Sequence, residues 1–173
     1  MKAFFASVGA VFAVFLAVIA WGAALPATLV VERSAALDAA PADVFDVLED
    51  LGTYPEWSRH LPPGSVPAFG ERIGEGAALA WEQDGDAGSV EVMQSVPLEL
   101  VRLGVQQGRR DAVATLAIAE GADGGTVIVS RDERALGGFP FLSRVRGKLS
   151  AGGVEAEMDA ELDRLGRAIP PAG

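Results

Sequence analysis

The chain has 173 residues, half of them apolar, and its formal net charge is −10 at pH 7. This length predicts a single domain with enough apolar residues for a sizeable core. The negative charge disfavours a general affinity for nucleic acid, so we expect no nucleic-acid partner. The sequence contains no cysteine, which excludes disulfides, zinc–thiolate sites and thiol catalysis.

The N-terminal segment is apolar and uncharged from Ala3 to Leu25. As a helix it would be about 35 Å long, enough to cross a hydrocarbon core of about 30 Å. We therefore predict that residues 1–27 form a single-pass transmembrane anchor. A cleaved signal peptide is the alternative, because Ala20–Ala24 offers small residues at cleavage positions. Lys2 alone precedes the segment, and the positive-inside rule places the folded domain on the extracytoplasmic side.

The remainder predicts one α+β domain over residues 28–169, followed by a short tail at 170–173. An extended strand is predicted over Leu29–Leu37. Pro41 suits the first position of the short helix that follows, and Gly52 ends that helix. The apolar face of the helix consists of Val44, Phe45, Val47, Leu48 and Leu51. A second, shorter helix is predicted to begin at Thr53.

Alternation between apolar and polar residues predicts a run of antiparallel strands after the two helices. The predicted strands are Val66–Ile73, Glu75–Gln83, Ser89–Val96, Leu98–Gln106, Asp111–Glu120 and Gly125–Leu136. The last two read as a hairpin across Gly121–Gly125. Apolar residues three or four apart then predict a closing helix up to Ile169, with a kink or break at Gly152-Gly153 and a stop at Pro170.

The segment around the first helix resembles the START-like superfamily, also called the SRPBCC or polyketide cyclase family. The resemblance is carried by Ala40-Pro41, Val44-Phe45, Asp50-Leu51 and Glu56-Trp57. It implies a helix-grip fold, in which a curved antiparallel sheet wraps around a long C-terminal helix. It also implies a cavity that holds a lipid, a polyketide or another apolar molecule. Many membrane-anchored relatives read Trp-Ser-Pro-Trp where this chain has Trp57-Ser58-Arg59-His60, so contacts of the second aromatic cannot be carried over.

Motifs for catalysis or metal binding are not found in the sequence. His60 is the only histidine, and no nucleophile-elbow pattern surrounds a serine. One histidine without cysteine does not make a histidine-based metal site. Asp84–Gly88 lacks the third acidic ligand and the closing glutamate of a calcium loop, so it reads as a hairpin turn. We therefore assign no catalytic residue, no metal and no cofactor.

Small side chains on the strands predict unfilled volume between the sheet and the last helix. The alanines behind this prediction are Ala77, Ala78, Ala80, Ala112, Ala114, Ala117 and Ala119. The predicted ligand-binding residues are Trp57, Trp81, Met93, Phe139, Phe141, Val145, Leu149 and Met158. For each of these residues taken alone, ordinary core is the simpler interpretation. Three strand arginines, Arg102, Arg131 and Arg134, could supply a polar group, although exposed strand charges are the simpler interpretation.

Two functions from different classes follow from this reading. The first is a membrane-tethered module that binds a hydrophobic small molecule or lipid. The second is an enzyme of the polyketide cyclase or dehydratase type, which would use the same cavity and for which Tyr54 and His60 are the available acid–base groups. A third possibility is a domain that serves protein contacts at the membrane.

Overall fold

The computed structural model describes residues 28–62, 65–83, 85–108, 110–121, 124–136 and 140–170, excluding the side chains at positions 83, 86, 110 and 140–150. The strands are β1 (Thr28–Leu37), β2 (Val66–Phe69), β3 (Ala78–Gln83), β4 (Asp86–Val96), β5 (Leu100–Gln107), β6 (Arg110–Glu120) and β7 (Thr126–Ala135). The helices are α1 (Pro41–Glu49), α2 (Tyr54–Trp57) and α3 (Pro140–Ala168). This element order confirms the predicted α+β class.

All seven strands belong to one antiparallel sheet with the order β1-β7-β6-β5-β4-β3-β2. From β2 to β7 each strand pairs with its neighbour in sequence, which confirms the predicted meander. β1 instead pairs with β7, from Thr28 opposite Ala135 to Leu37 opposite Thr126. The predicted hairpin between β6 and β7 is present, and Gly124 takes a positive φ of 80° in its turn.

Helix α1 forms where the sequence predicts it. Pro41 occupies the first turn, and Val44, Phe45 and Leu48 are buried on one face. The Asp50 side chain then accepts a hydrogen bond from the backbone N–H of Gly52 at 2.7 Å, which stabilises the turn into α2. α1 and α2 together cover the inner face of the sheet at one end, with α1 in contact with β5 and β6.

The closing helix α3 runs along β1 and packs against α2. Leu162, Leu165 and Ile169 join the main core, and Val154 and Met158 form a second cluster with Val31 of β1. The predicted break at Gly152-Gly153 is wrong, because the helix continues through both residues. The apolar contacts on their C-terminal side hold the helix despite the low intrinsic helix propensity of glycine.

The alanines do not all face the helix. Leu79 and Trp81 are buried, so strand alternation turns Ala78 and Ala80 to the outer face. In β6, Leu116 and Ile118 are buried, so Ala117 and Ala119 also point outward. Ala77, Ala112 and Ala114 contact the core. The prediction of unfilled volume between the sheet and the last helix therefore rests on three alanines rather than seven.

The predicted anchor at residues 1–27 lies outside the described residues, as do residues 171–173. Within the described ranges, none of the helices combines the length and the apolar character needed to span a bilayer.

Candidate functional site: a buried polar cluster

Helix α2 is a single helical turn, and the residues that follow it enter the interior of the protein. Its two aromatic rings, Tyr54 and Trp57, are buried and meet edge to face with 5.0 Å between ring centroids. The Trp57 indole N–H donates to Thr53 Oγ1 at 3.2 Å, which fixes the ring. Ser58 then takes an extended conformation and ends the helix. Arg59 consequently enters the space between the sheet and α3, and its backbone N–H donates to Glu161 Oε1 at 3.1 Å.

The opposite wall is the inner face of β7. Alternation places Ser130, Asp132 and Arg134 on this face, continuing the row of the buried Ile128. The cross-strand neighbours of Asp132 are Val31 on β1 and Ala114 on β6. Neither neighbour can hydrogen-bond the carboxylate, and the small alanine leaves room for a long side chain to reach it.

Two guanidinium groups meet the Asp132 carboxylate. Arg134 donates from Nε to Oδ1 at 2.9 Å and from Nη2 to Oδ2 at 3.1 Å. Arg59 donates from Nη2 to Oδ2 of the same carboxylate. Its Nη1 lies 3.5 Å from Glu161 Oε2, which makes Glu161 a second carboxylate partner. A buried charge is strongly unfavourable unless it is paired, and this arrangement supplies the pairing.

We call this set of residues the Arg59 cluster. Its members are Tyr54, Ser58, Arg59, His60, Asp132, Arg134 and Glu161.

Four buried polar atoms of the Arg59 cluster have no hydrogen-bond partner among the described residues. They are Tyr54 Oη, Arg59 Nε, Arg59 Nη1 and His60 Nε2. Folded proteins pair the great majority of their buried polar groups, and leaving one unpaired costs about 1–3 kcal/mol. Four such atoms within seven residues of sequence therefore mark this cluster as unusual and as a candidate binding site.

Burial sets the protonation of the cluster. It lowers the pKa of His60 to about 3, and the positive charge of Arg59 contributes in the same direction. It raises the pKa of Tyr54 above its ordinary value, and a side-chain hydrogen bond with Ser58 partly opposes the change. It also raises the pKa of Glu161, which Arg59 partly offsets. At neutral pH His60 is therefore uncharged and Tyr54 is protonated, so both are suited to hydrogen bonding.

A surface depression of about 380 Å³ adjoins the cluster. Its lining residues are Arg59, Glu157, Ala160, Asp163, Arg164 and Arg167. Arg59 belongs both to this depression and to the buried cluster, so it connects the two. A second depression, of about 520 Å³, lies beside β1 and includes Arg33, which pairs with Glu155 and Asp159 on α3.

The predicted ligand-binding residues fall into separate places. Trp57 and Trp81 are buried in the main core, and the Trp81 indole lies over Gly88 on the next strand. Met158 belongs to the smaller cluster against β1. Met93 is 50% exposed and lies over Gly104 on the outer face of the sheet. The predictions for Phe139, Phe141, Val145 and Leu149 lie outside the described side chains.

The sequence reading missed Asp132 and Glu161, although each had a signal. Asp132 stands two residues from Ser130 and four from Ile128, so strand alternation places it on the buried face. Glu161 is three residues after Met158 and four before Leu165, which places a carboxylate on the apolar stripe of α3. The sequence predicts Arg134 only as an isolated strand charge. Among the described residues, no group of three or more histidine, aspartate or glutamate side chains could hold a metal ion.

Comparison with known proteins agrees with the observed architecture. A protein of unknown function from Staphylococcus aureus is 14% identical, with a TM-score of 0.66 over 82% of this chain and 93% of that one. A Chromobacterium violaceum protein is 17% identical, with a TM-score of 0.58 over 83% of this chain and 99% of that one. At these identities the likeness shows the fold alone.

A third similar structure is DynU16, a protein of the dynemicin biosynthetic locus. It is 16% identical, with a TM-score of 0.56 over 80% of this chain, and this chain spans only 46% of DynU16. A search of curated proteins found no match.

The sheet and the long closing helix define a helix-grip protein. The sequence profile of the polyketide cyclase / dehydrase and lipid transport family matches residues 28–170, and the chain belongs to that family.

Proposed function

We propose that this protein is a membrane-tethered binding module for a hydrophobic small molecule or lipid, held between the sheet and α3. The family name includes lipid transport, which supports an apolar ligand. The observation that carries the proposal is the group of four unpartnered polar atoms in the Arg59 cluster, buried between β7 and α3. A bound molecule that presents a polar group there would satisfy them.

The described part of α3 fills the space near the Leu37 end of β1. Leu162, Leu165 and Ile169 pack there against the main core, and Gly166 lies close to the Leu37 side chain. The apolar body of a ligand would therefore lie toward the opposite end, where α3 begins. The small inner-face residues Ala112 and Ala114 lie in that direction and pack against the core.

Membrane tethering is the second part of the proposal. The uncharged segment Ala3–Leu25 is long enough to span a bilayer, and Thr28 begins β1 directly after it. A tether would hold the binding domain close to a source of apolar ligand, with the domain on the extracytoplasmic side.

An enzyme of the polyketide cyclase or dehydratase type is the alternative. DynU16, from a biosynthetic locus, is among the similar structures, and both Tyr54 and His60 carry an unpartnered buried atom. Efficient acid–base groups have a pKa close to the working pH. A pKa of about 3 for His60 makes it a weak base, and the raised pKa of Tyr54 makes it a weak acid, so binding is the better-supported function.

The proposal is tested with a matched pair of leucine substitutions. Ala112→Leu adds volume on the inner face, whereas Ala119→Leu adds the same volume on the exposed outer face. We expect lipid extracted by organic solvent from the purified wild type and from Ala119→Leu, and a reduced amount from Ala112→Leu. The proposal would be contradicted if the wild type and both variants contain no extractable lipid and none of them changes its thermal midpoint when lipids are added.

A further inference from the structure

We infer that the Arg59 cluster binds the carboxylate of an otherwise apolar ligand, with Arg59 Nε, Arg59 Nη1 and the Tyr54 hydroxyl donating to its oxygens. This inference rests on the proposed binding function and specifies the chemistry of the ligand. Its basis is the set of buried, unpartnered atoms, which belong to side chains fixed by contacts described above.

The unpartnered atoms are mostly donors. Both Arg59 nitrogens can only donate, and the protonated Tyr54 hydroxyl also has a hydrogen to donate. His60 Nε2 donates or accepts according to the tautomer of the neutral ring. A complementary group is therefore rich in acceptors. An ionised carboxylate offers only acceptors, and its hydrogen bonds to a guanidinium are among the strongest in proteins.

The charge of the cluster also favours an anion. Asp132 is shared by two guanidinium groups, those of Arg59 and Arg134. Glu161 is the only other carboxylate that pairs with Arg59 among the described residues, and burial favours its uncharged form. Protonation of Glu161 would leave two positive groups facing one negative group. A ligand carboxylate would then compensate the remaining positive charge inside the protein, where an uncompensated charge is unfavourable.

A route from solvent leads to the same arginine. Arg59 is 6% exposed through its side chain and lines the depression of about 380 Å³. Arg164 and Arg167 also line that depression. These two arginines would attract an anion toward Arg59, although Glu157 and Asp163 in the same lining moderate the local potential.

A purely structural role explains only part of this geometry. The contacts of Arg59 with Asp132 and Glu161 tie α2, β7 and α3 together. The ion pairs do not involve the Tyr54 hydroxyl, which interacts with the Ser58 side chain and has no other hydrogen-bond partner among the described residues. The Tyr54 hydroxyl is therefore the atom that separates a ligand site from a structural network.

The experiment uses the full chain in dodecylmaltoside with dodecanoate carrying ¹³C at its carboxyl carbon, observed by NMR. We expect a protein-bound carboxyl resonance distinct from that of dodecanoate in micelles, and displacement by unlabelled dodecanoate. Dodecanol, which has the same chain without the carboxylate, should displace it at least about 10-fold less effectively, since a hydrogen bond to a charged group is worth 10-fold or more in affinity.

Two variants separate binding from stability. Tyr54→Phe should weaken dodecanoate binding about 10-fold or more while the thermal midpoint changes little, because the hydroxyl takes no part in the ion pairs and interacts only with Ser58 among the described side chains. Thr126→Val is the control. The Thr126 hydroxyl donates to the Ala39 carbonyl at 2.8 Å, so its removal should lower the thermal midpoint and leave dodecanoate binding unchanged.

The outcomes distinguish the two levels of the proposal. Dodecanol that binds as tightly as dodecanoate, with no effect of Tyr54→Phe, would overturn the carboxylate inference and leave apolar binding standing. Failure of both probes to bind the folded wild type would contradict the inference and the proposed function together.

Discussion

Arg59 and Asp132 are 73 residues apart in the chain and form an ion pair whose side chains are only 6% and 1% exposed. The pair links the segment that follows α2 to the inner face of β7. Arg134 and Glu161 extend it, so that the sheet and both packed helices meet at one set of charges. Substitutions in the Arg59 cluster should therefore differ in their cost to the free energy of unfolding, because each one leaves a different buried charge unpaired.

Asp132→Asn should be the most damaging single change in the cluster. It keeps the volume of the side chain but leaves two guanidinium groups without their shared carboxylate, so we expect a loss of about 3–5 kcal/mol in the free energy of unfolding. Arg59→Met should cost less, because Asp132 keeps both hydrogen bonds from Arg134. Urea denaturation followed by tryptophan fluorescence measures both values. Equal losses, or a smaller loss for Asp132→Asn, would contradict this reading of the network.

His60 should make the protein sensitive to acid. Its pKa falls from the ordinary 6.5 to about 3 on folding, so between these values the unfolded chain binds a proton that the folded chain does not. Stability therefore decreases as the pH falls through this window, by about 1.4 kcal/mol per pH unit from this residue alone.

The His60→Leu variant should accordingly lose less stability than the wild type between pH 7 and pH 4. Glu161 acts in the opposite direction. Its raised pKa lets the folded chain take up a proton before the unfolded chain does, so its contribution favours the fold at low pH and is lost as the pH rises. Glu161→Gln should thus steepen the acid loss. Denaturant titrations at unit pH intervals test both slopes, and parallel curves for all three proteins would contradict the assignment.

Two glycine-to-alanine substitutions should change stability in opposite directions. Gly153 lies inside α3, and a methyl group added there would meet no described residue beyond its own helical turn within 4 Å, so Gly153→Ala should stabilise the fold by about 0.5–1 kcal/mol. A Cβ on Gly88 would lie 2.3 Å from Trp81 Cζ2, so Gly88→Ala should displace the indole and destabilise by about 1–3 kcal/mol. Thermal midpoints give the sign of each effect, and a neutral Gly88→Ala would show that Trp81 has free space to move.

The membrane proposal predicts where the protein partitions. Full-length protein should sediment with membranes and resist extraction at high salt, whereas a chain that begins at Thr28 should remain in the supernatant. Mass spectrometry of the purified chain distinguishes the two interpretations of the N-terminal segment. An intact N-terminus supports the anchor, and a mature chain starting between Ala23 and Pro26 would show a cleaved signal peptide.

The strands were predictable from the sequence because each has one buried face. In β5, for example, Val101, Leu103 and Val105 are buried in the alternating pattern that the sequence predicted. The Arg59–Asp132 pair was not predictable in the same way. Strand alternation places Asp132 on the buried face of β7, but its partner Arg59 is 73 residues away in sequence. Only the packing of α2, β7 and α3 against one another brings Arg59 to that carboxylate.

The number of alanines on the strands also does not show which face of the sheet each alanine occupies. The small-residue prediction includes Ala78 and Ala80 as inner residues, but their neighbours Leu79 and Trp81 take the inner face. Strand alternation, applied residue by residue, separates the two sets. The anchor, and the ligand contacts of Phe139, Phe141, Val145 and Leu149, stay predictions.

Native mass spectrometry of the full chain, extracted in mild detergent, tests most directly whether the protein carries a ligand. We predict a mass adduct of one ligand per chain on the folded wild type, retained in Ala119→Leu and diminished in Ala112→Leu. A wild-type chain that keeps the charge-state distribution of a folded protein and shows only its own mass would contradict a carried ligand.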